Sequence, residues 1–402
     1  MGELTREELA RRAGVGVEFI DRLVEHRVVS GGEDDTQFTR ADIRRARFVF
    51  GLERGGVPLE SVGAAIQKGA LSLDFFDASY WDRLGALTTK TFRELSDETG
   101  LTLDLLLTLR ESIGFARPQP EDPVREDELE AIELLRSVSA MGADPIALER
   151  HVRIWGESLQ RIAEADSTFF RSQFQTPLIE AGVSWSDMLR VSNEASDAMV
   201  PFIDSALLGM YHAQSEHSSF ANVVEAIEAS LEEAGLHHSI SRPPAMCFLD
   251  LSGFTRLTEE RGDEAAADMS AALGTLVQRG SHGREGRTVK SLGDGVMVYF
   301  REPGAAVNFA LEMKEEIPAA DLPQAHIGIA AGAVVFQDGD YFGRTVNMAS
   351  RIAAHATAGQ VLVNAECVEA TTDPHVEFVD LGPVELKGVS QPVRIHEARS
   401  RR

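Results

Sequence analysis

The stretch FLDLSGFT (residues 248–255) ends an apolar run on a carboxylate, then turns on a glycine into a helical segment. Farther on, VKSLGDGVMVYF (residues 289–300) reads as strand, tight turn, strand, with Asp294 inside the Leu-Gly-Asp-Gly turn. Gly and Asp between two β-rich runs are what a short hairpin connection needs. Asp250 and Asp294 therefore stand at neighbouring strand ends. Hard carboxylate oxygens so placed suit Mg²⁺ or Mn²⁺, ions that leave much of their coordination to substrate phosphates. Taken singly, Asp294 is an ordinary hairpin-turn residue and Asp250 an ordinary helix cap. The pair is what raises a metal-assisted reaction.

Around these two segments the chain has a mixed texture. From Ala245, short apolar runs (AMCFLDL, GVMVYF, HIGIAAGAVV, QVLVN) alternate with helical segments such as AAADMSAALGTLVQR and GAAVNFALEMKEEI. That alternation predicts an α/β domain over residues 245–402. Just before it, HHSISRPP (residues 237–244) is polar and proline-bearing and reads as a linker.

FLDLSGFT, LGDGVMVYF and DYFGRTVNMASR (residues 340–351) occur in that order, and together they resemble the class III nucleotide cyclase catalytic domain. The resemblance runs from about Ala245 to Ala398 and takes in the closing segment LGPVELKGVSQPVRIHEA, typical of bacterial members. It implies an α+β fold with a ferredoxin-like βαββαβ core, and two domains packed head to tail as a homodimer with active sites across the interface. It also implies roles for residues. Asp250 and Asp294 match the metal-binding pair, which in this family holds two ions per active site, Mg²⁺ or Mn²⁺. Ser252, Gly253, Phe254 and Thr255 match the loop whose backbone N–H groups hold the triphosphate, as helix N-termini do for anions. Asn347 and Arg351, spaced i and i+4 and so on one helix face, match the pair supplied by the partner subunit. There Asn347 orients the ribose and Arg351 stabilises charge on the α-phosphate. Lys290 and Asp340 occupy the two purine-reading positions. A Lys donor for adenine N1 and an Asp acceptor for the N6 amino group fit ATP, whereas guanylate cyclases typically place Glu and Cys there. Lys387, in ELKG, is a further candidate for approaching the triphosphate. The implied activity is conversion of ATP to 3′,5′-cyclic AMP and pyrophosphate. The alternatives are guanylate cyclase, which Lys290 and Asp340 disfavour, and a transcription regulator with a cyclase-like nucleotide sensor. A degenerate sensor would be expected to lose metal or transition-state residues, and this chain keeps them. The sequence contains no GxxxxGK[ST] phosphate loop, which argues against a P-loop ATPase.

The N-terminal part is helical in texture, an all-α regulatory region. Residues 1–155 read as short amphipathic helices and residues 156–236 as longer ones, for example SLQRIAEADSTFFRSQF and FANVVEAIEASLEEAGL. The first block repeats itself at an ungapped offset of 86 residues: Ala10–Val15 lies over Ser96–Leu101, and Ile43, Phe48 and Gly56 lie over Leu129, Leu134 and Gly142. Recurrent glycines between helices suggest a duplicated helix-turn-helix. Each copy resembles the MerR-type winged helix, as in LTREELARRAGVGVEFIDRL and FTRADIRRARFVFGLERGGVPLESV. DNA binding is nevertheless not expected. The helix that should read bases carries Glu18, Asp21 and Glu25, and half of its second copy, LDLLLTLRES, is leucine. Only Arg40, Arg44, Arg45 and Arg47 make a basic cluster. His212, His217, His237 and His238 gather near the junction with the catalytic half and are candidates for sensing acidity.

Bulk properties agree. A chain of 402 residues predicts two or three domains. A net charge of −25 argues against nucleic acid as the main partner. Two cysteines, Cys247 and Cys367, form neither a disulfide framework nor a metal cluster and fit a reducing cytosol. With neither a signal peptide nor a run of ~18–20 apolar residues, the expectation is a soluble cytoplasmic protein.

Overall fold

A computed structural model of the chain describes residues 4–29, 38–77, 81, 85–236 and 242–401. The chain divides into two compact units, Met1–Glu225 and Ala226–Arg402.

Among its described residues the first unit is helical apart from one short ribbon and the Leu4–Phe38 bridge. Its elements are α1 (Arg6–Ala13), α2 (Val17–Glu25), α3 (Arg40–Arg54), α4 (Leu59–Gln67), β1 (Leu87–Thr91), α5 (Phe92–Thr99), α6 (Leu103–Ser112), β2 (Pro123–Arg125), α7 (Leu129–Ala140), α8 (Pro145–Phe170), α9 (Thr176–Glu180) and the first part of α10 (Trp185–Glu233). The elements recur at the offset of 86. Helix α1 maps onto α5, each opened by a Thr capping box and closed by a left-handed glycine, Gly14 at φ 71° and Gly100 at φ 73°. The Leu4–Phe38 bridge falls, 86 residues on, within the antiparallel β1–β2 ribbon. Each half buries its own core, one around Leu9, Ile20, Leu23 and Leu59, the other around Phe92, Leu106, Ile132 and Val152. Helix α8 runs unbroken through 155–156, so the expected boundary there crosses the middle of a helix. The shift from short to long helices that suggested it begins earlier, at Pro145. Inside this unit a cavity of about 1100 Å³ is walled by Phe48, Phe76, Trp81 and Phe170, with Arg44 and Arg47 among its polar lining.

The second unit is built on β3 (Ala245–Leu251), α11 (Phe254–Arg261), α12 (Asp263–His282), β4 (Gly286–Ser291), β5 (Gly295–Phe300), α13 (Pro303–Ala319), β6 (Ala325–Ala331), β7 (Val335–Gln337), β8 (Asp340–Phe342), α14 (Arg344–His355), β9 (Val361–Asn364), α15 (Ala365–Ala370), β10 (Val376–Val384) and β11 (Val393–Ser400). Seven strands make one sheet in the order β10-β11-β9-β6-β3-β5-β4. Within it β6-β3-β5-β4 are mutually antiparallel, and with α12 and α13 they make the expected βαββαβ core. Strand alternation divides the sheet into two faces. Cys247, Leu249 and Leu251 of β3 pack with Leu273 and Val277 of α12 and Phe309 of α13. Met246 faces the other way, with Met348, Ala349 and Ile352 of α14. Both cysteines are free and buried, and burial pushes both thiols up, so they act as small apolar groups. No helix among the described residues is long and apolar enough to cross a membrane.

Candidate active site

The two carboxylates meet through the β3–β5 pairing. Asp250 lies opposite Gly295 in the register, and the Leu251 N–H donates to the Asp294 carbonyl at 3.0 Å. The Leu292 N–H closes the turn onto the Gly295 carbonyl at 2.7 Å, with Gly293 at φ 76°. Gly295 makes the room: a Cβ there would sit 3.0 Å from Asp250 Oδ1. Burial first, and then the neighbouring charge of Asp294, push the Asp250 carboxyl above its ordinary range. Asp250, held at that cost beside the Asp294 turn, fits a site completed by cations. Among the described residues no group of three or more His, Cys, Asp or Glu could hold a metal, so an ion here would complete its coordination with other oxygens, from backbone, water or phosphate. Asp250 is not a helix cap, since α11 starts four residues later, behind Gly253 as its N-cap.

His326 was not singled out in the sequence. It stands opposite Asp250 on β6, with Nε2 3.5 Å from Asp250 Oδ2 and Nδ1 3.3 Å from the Ala356 carbonyl. The 76-residue gap between them hides this pairing from any local pattern.

The turn after Asp250 departs in part from the expectation. The Ser252 N–H donates to the Gln324 carbonyl at 2.9 Å and so is not free for an anion. Phe254 packs its ring into the core. The open amides are those of Gly253, Phe254 and Thr255 at the start of α11, which has no side-chain cap. Ser252 Oγ is buried and lacks a hydrogen-bond partner among the described residues.

Lys290 and Asp340, fifty residues apart, form an ion pair. The other Asp340 oxygen, Oδ1, accepts from the Tyr341 N–H at 2.8 Å. Asn347 and Arg351 lie on the exposed face of α14, whose opposite face buries Met348, Ala349, Ile352 and Ala353. Among the described residues no hydrogen bond or ion pair engages either side chain, and none joins them to Asp250 or Asp294. Lys387 is exposed on the connection from β10 to β11, and its neighbour Leu386 is buried in the same cluster as Met297, Tyr341 and Met348. His212 and His217 are exposed on α10, whereas His237 and His238 lie outside the described residues.

Comparison with known proteins gives two matches. Residues 239–397 match the adenylate and guanylate cyclase catalytic domain, and residues 38–218 the adenylate cyclase regulatory domain. The regulatory match covers most of the segment that resembles a MerR-type unit, and neither match is to a DNA-binding family. A pH-sensitive adenylate cyclase of Mycobacterium tuberculosis is 29% identical over 315 residues, 76% of this chain and 77% of the relative. An uncharacterized protein of the same organism is 28% identical over 360 residues, 88% of this chain and 90% of its own length. An adenylate cyclase of Streptomyces coelicolor is 28% identical over 288 residues, 71% of this chain and 72% of the relative. Residues 239–397 are thus a catalytic domain of the adenylate and guanylate cyclase family, behind an adenylate cyclase regulatory domain at residues 38–218.

Proposed function

We propose that this chain is an adenylate cyclase that converts ATP to 3′,5′-cyclic AMP and pyrophosphate, working as a homodimer whose N-terminal unit regulates the catalytic one. The observation that carries the choice of ATP is the meeting of Lys290 and Asp340, a donor and an acceptor matched to the adenine edge. Asp250 and Asp294 would hold two divalent ions, Mg²⁺ or Mn²⁺. Bound there, the ions would acidify the ribose 3′-hydroxyl and offset phosphate charge. The amides of Gly253, Phe254 and Thr255 receive the triphosphate at the N-terminus of α11. Asn347 holds the ribose so that its 3′-oxygen faces the α-phosphorus in line with the departing pyrophosphate. Arg351 meets the charge that builds on the α-phosphate as the new P–O bond forms and the bond to pyrophosphate breaks. Since no hydrogen bond or ion pair among the described residues engages the Asn347 or Arg351 side chain, the reading gives them to the site of the partner subunit.

A regulatory rather than DNA-reading role for the first unit is supported by where its basic residues point. Arg45 is buried against Asp42 and Asp77, Arg44 donates to the Phe76 carbonyl, and Arg47 to the Gly85 carbonyl. In α6, Leu105 to Arg110 are buried, with Arg110 paired to Glu128 at 2.6 Å. Helix α2, the one that would enter a groove, exposes Glu18, Asp21 and Glu25, carboxylates that phosphate repels. Acidity is a candidate signal, given the histidines near the junction and the similarity to a pH-sensitive adenylate cyclase.

The test is cyclic nucleotide production by the full chain from ATP and from GTP, with Mg²⁺ or Mn²⁺. Turnover should favour ATP, and Asp250→Ala should abolish it while leaving the thermal midpoint close to wild type. Near-normal activity of Asp250→Ala at saturating Mn²⁺ would sink the assignment.

A further inference from the structure

Four side chains outside the set above form a column beside Lys290 and Asp340. Arg287 of β4 and Tyr299 of β5 stand opposite each other in the large sheet. Phe336 of β7 and Tyr341 of β8 stand opposite each other in the small hairpin. The two pairs stack on one another. The Arg287 guanidinium lies 4.9 Å from the Phe336 ring centre. Tyr299 and Tyr341 stack with centres 4.4 Å apart and planes 10° apart, and Phe336 meets Tyr341 at 4.9 Å.

This column has a structural task that backbone pairing does not perform. Strands β7 and β8 form their own two-stranded sheet, and among the described residues no ladder joins them to the seven-stranded one. The hairpin nonetheless carries Asp340, next in sequence to Tyr341, while Lys290 lies three residues along β4 from Arg287, past an irregularity in the register. The Lys290–Asp340 ion pair is partly exposed, and such a pair orders little by itself. To read a purine, moreover, the two side chains must let go of each other and turn to the base. Something else must then keep Asp340 in place. Its Oδ1 is held by the Tyr341 N–H, so fixing Tyr341 fixes the carboxylate.

We propose that Arg287, Tyr299, Phe336 and Tyr341 are positioning residues for purine selection, a stacked clamp that holds the Asp340 hairpin at the correct distance from Lys290. The proposal rests on the reading of Lys290 and Asp340 as the purine-reading pair, and Phe336 is its most testable member. That ring is half-exposed, at 52%, so truncating it empties no core.

The experiment compares full-length wild type, Phe336→Ala and Phe336→Tyr. KM and kcat are measured for ATP and GTP, together with inhibition by pyrophosphate, which carries no base. Phe336→Ala should raise KM for ATP by about tenfold and cut the ATP-over-GTP preference in kcat/KM by a similar factor, as a loosened site does. Its pyrophosphate inhibition constant should stay at the wild-type value, and Phe336→Tyr should restore both purine readouts. An unchanged ATP/GTP ratio in Phe336→Ala overturns the clamp. So does parallel loss of ATP turnover, GTP turnover and pyrophosphate binding, which would assign the ring to the fold or to subunit contact. A wild type that cyclises ATP beside a variant with unaltered preference removes only the clamp. A wild type that leaves ATP untouched removes the cyclase reading and the clamp with it.

Discussion

At the scale of single residues, the Asp250 carboxylate sits where one added methyl group would disturb it. An alanine Cβ at position 295 would come within 3.0 Å of Asp250 Oδ1 and 3.2 Å of the Leu249 carbonyl oxygen. The backbone at Gly295 is ordinary extended strand, so the glycine is there for space rather than for a special dihedral. Gly295→Ala should therefore shift the carboxylate by a few tenths of an ångström and leave the strand paired. If Asp250 holds catalytic ions, the cost should appear as metal dependence. The concentration of Mg²⁺ or Mn²⁺ giving half-maximal activity should rise by about tenfold, the lower end of what disturbing a metal-supporting group costs. Metal titrations of the two proteins check this. A variant with lower activity but an unaltered metal midpoint would place the damage elsewhere.

At the scale of elements, β6 and α14 meet backbone to backbone at Gly328. A Cβ on Gly328 would lie 2.0 Å from the Ala353 nitrogen and 2.7 Å from the Ala349 carbonyl oxygen, both backbone atoms that cannot step aside. Gly328→Ala should push the helix off the sheet, with a cost of about 1–3 kcal/mol as in other overpacked cores. Because α14 carries Asn347 and Arg351, kcat should fall more than the stability loss alone predicts. Denaturant unfolding beside activity at a temperature where the variant stays folded separates the two, and a fully active variant would contradict the packing argument. This helix was legible in advance, because VNMASR has a defined order and spacing. So was the β3–turn–β4–β5 layout, since glycines and a carboxylate at strand ends leave local marks. What was not legible is long-range or non-periodic. The hairpin β7–β8 is only six paired residues, too short for a period to show. His326 faces Asp250 through a register that no single sequence reveals. The use of the Ser252 N–H by Gln324 depends on the same kind of distant pairing.

At the scale of the whole molecule, the proposed chemistry draws on two groups of residues that no hydrogen bond or ion pair among the described residues joins. The carboxylates lie at the β3–β5 end, while Asn347 and Arg351 face outward from α14 with no partner of their own among the described residues. Regulation by the first unit predicts that the full chain and residues 244–402 differ in specific activity or in pH profile, with dimerisation verified. Identical activities and profiles would leave the regulatory reading without support. An offset with matching profiles would keep regulation and discard the histidines. The sharper consequence concerns the composite site. In a symmetric dimer each site would take its ions from one subunit and its Asn and Arg from the other. Asp250→Ala kills the ion half of one site, and Arg351→Ala should cost about 10²–10³-fold in kcat by removing charge stabilisation. In a dimer with one copy of each variant, both defects fall in the same site and the second site is intact. Random mixing makes half of the dimers mixed, so activity should recover to about a quarter of wild type. Mixed dimers isolated with two different affinity tags make the reading direct, since each should carry half of the wild-type activity. If such dimers form and stay inactive, the ions and the arginine act within one subunit, and the shared-site assignment fails.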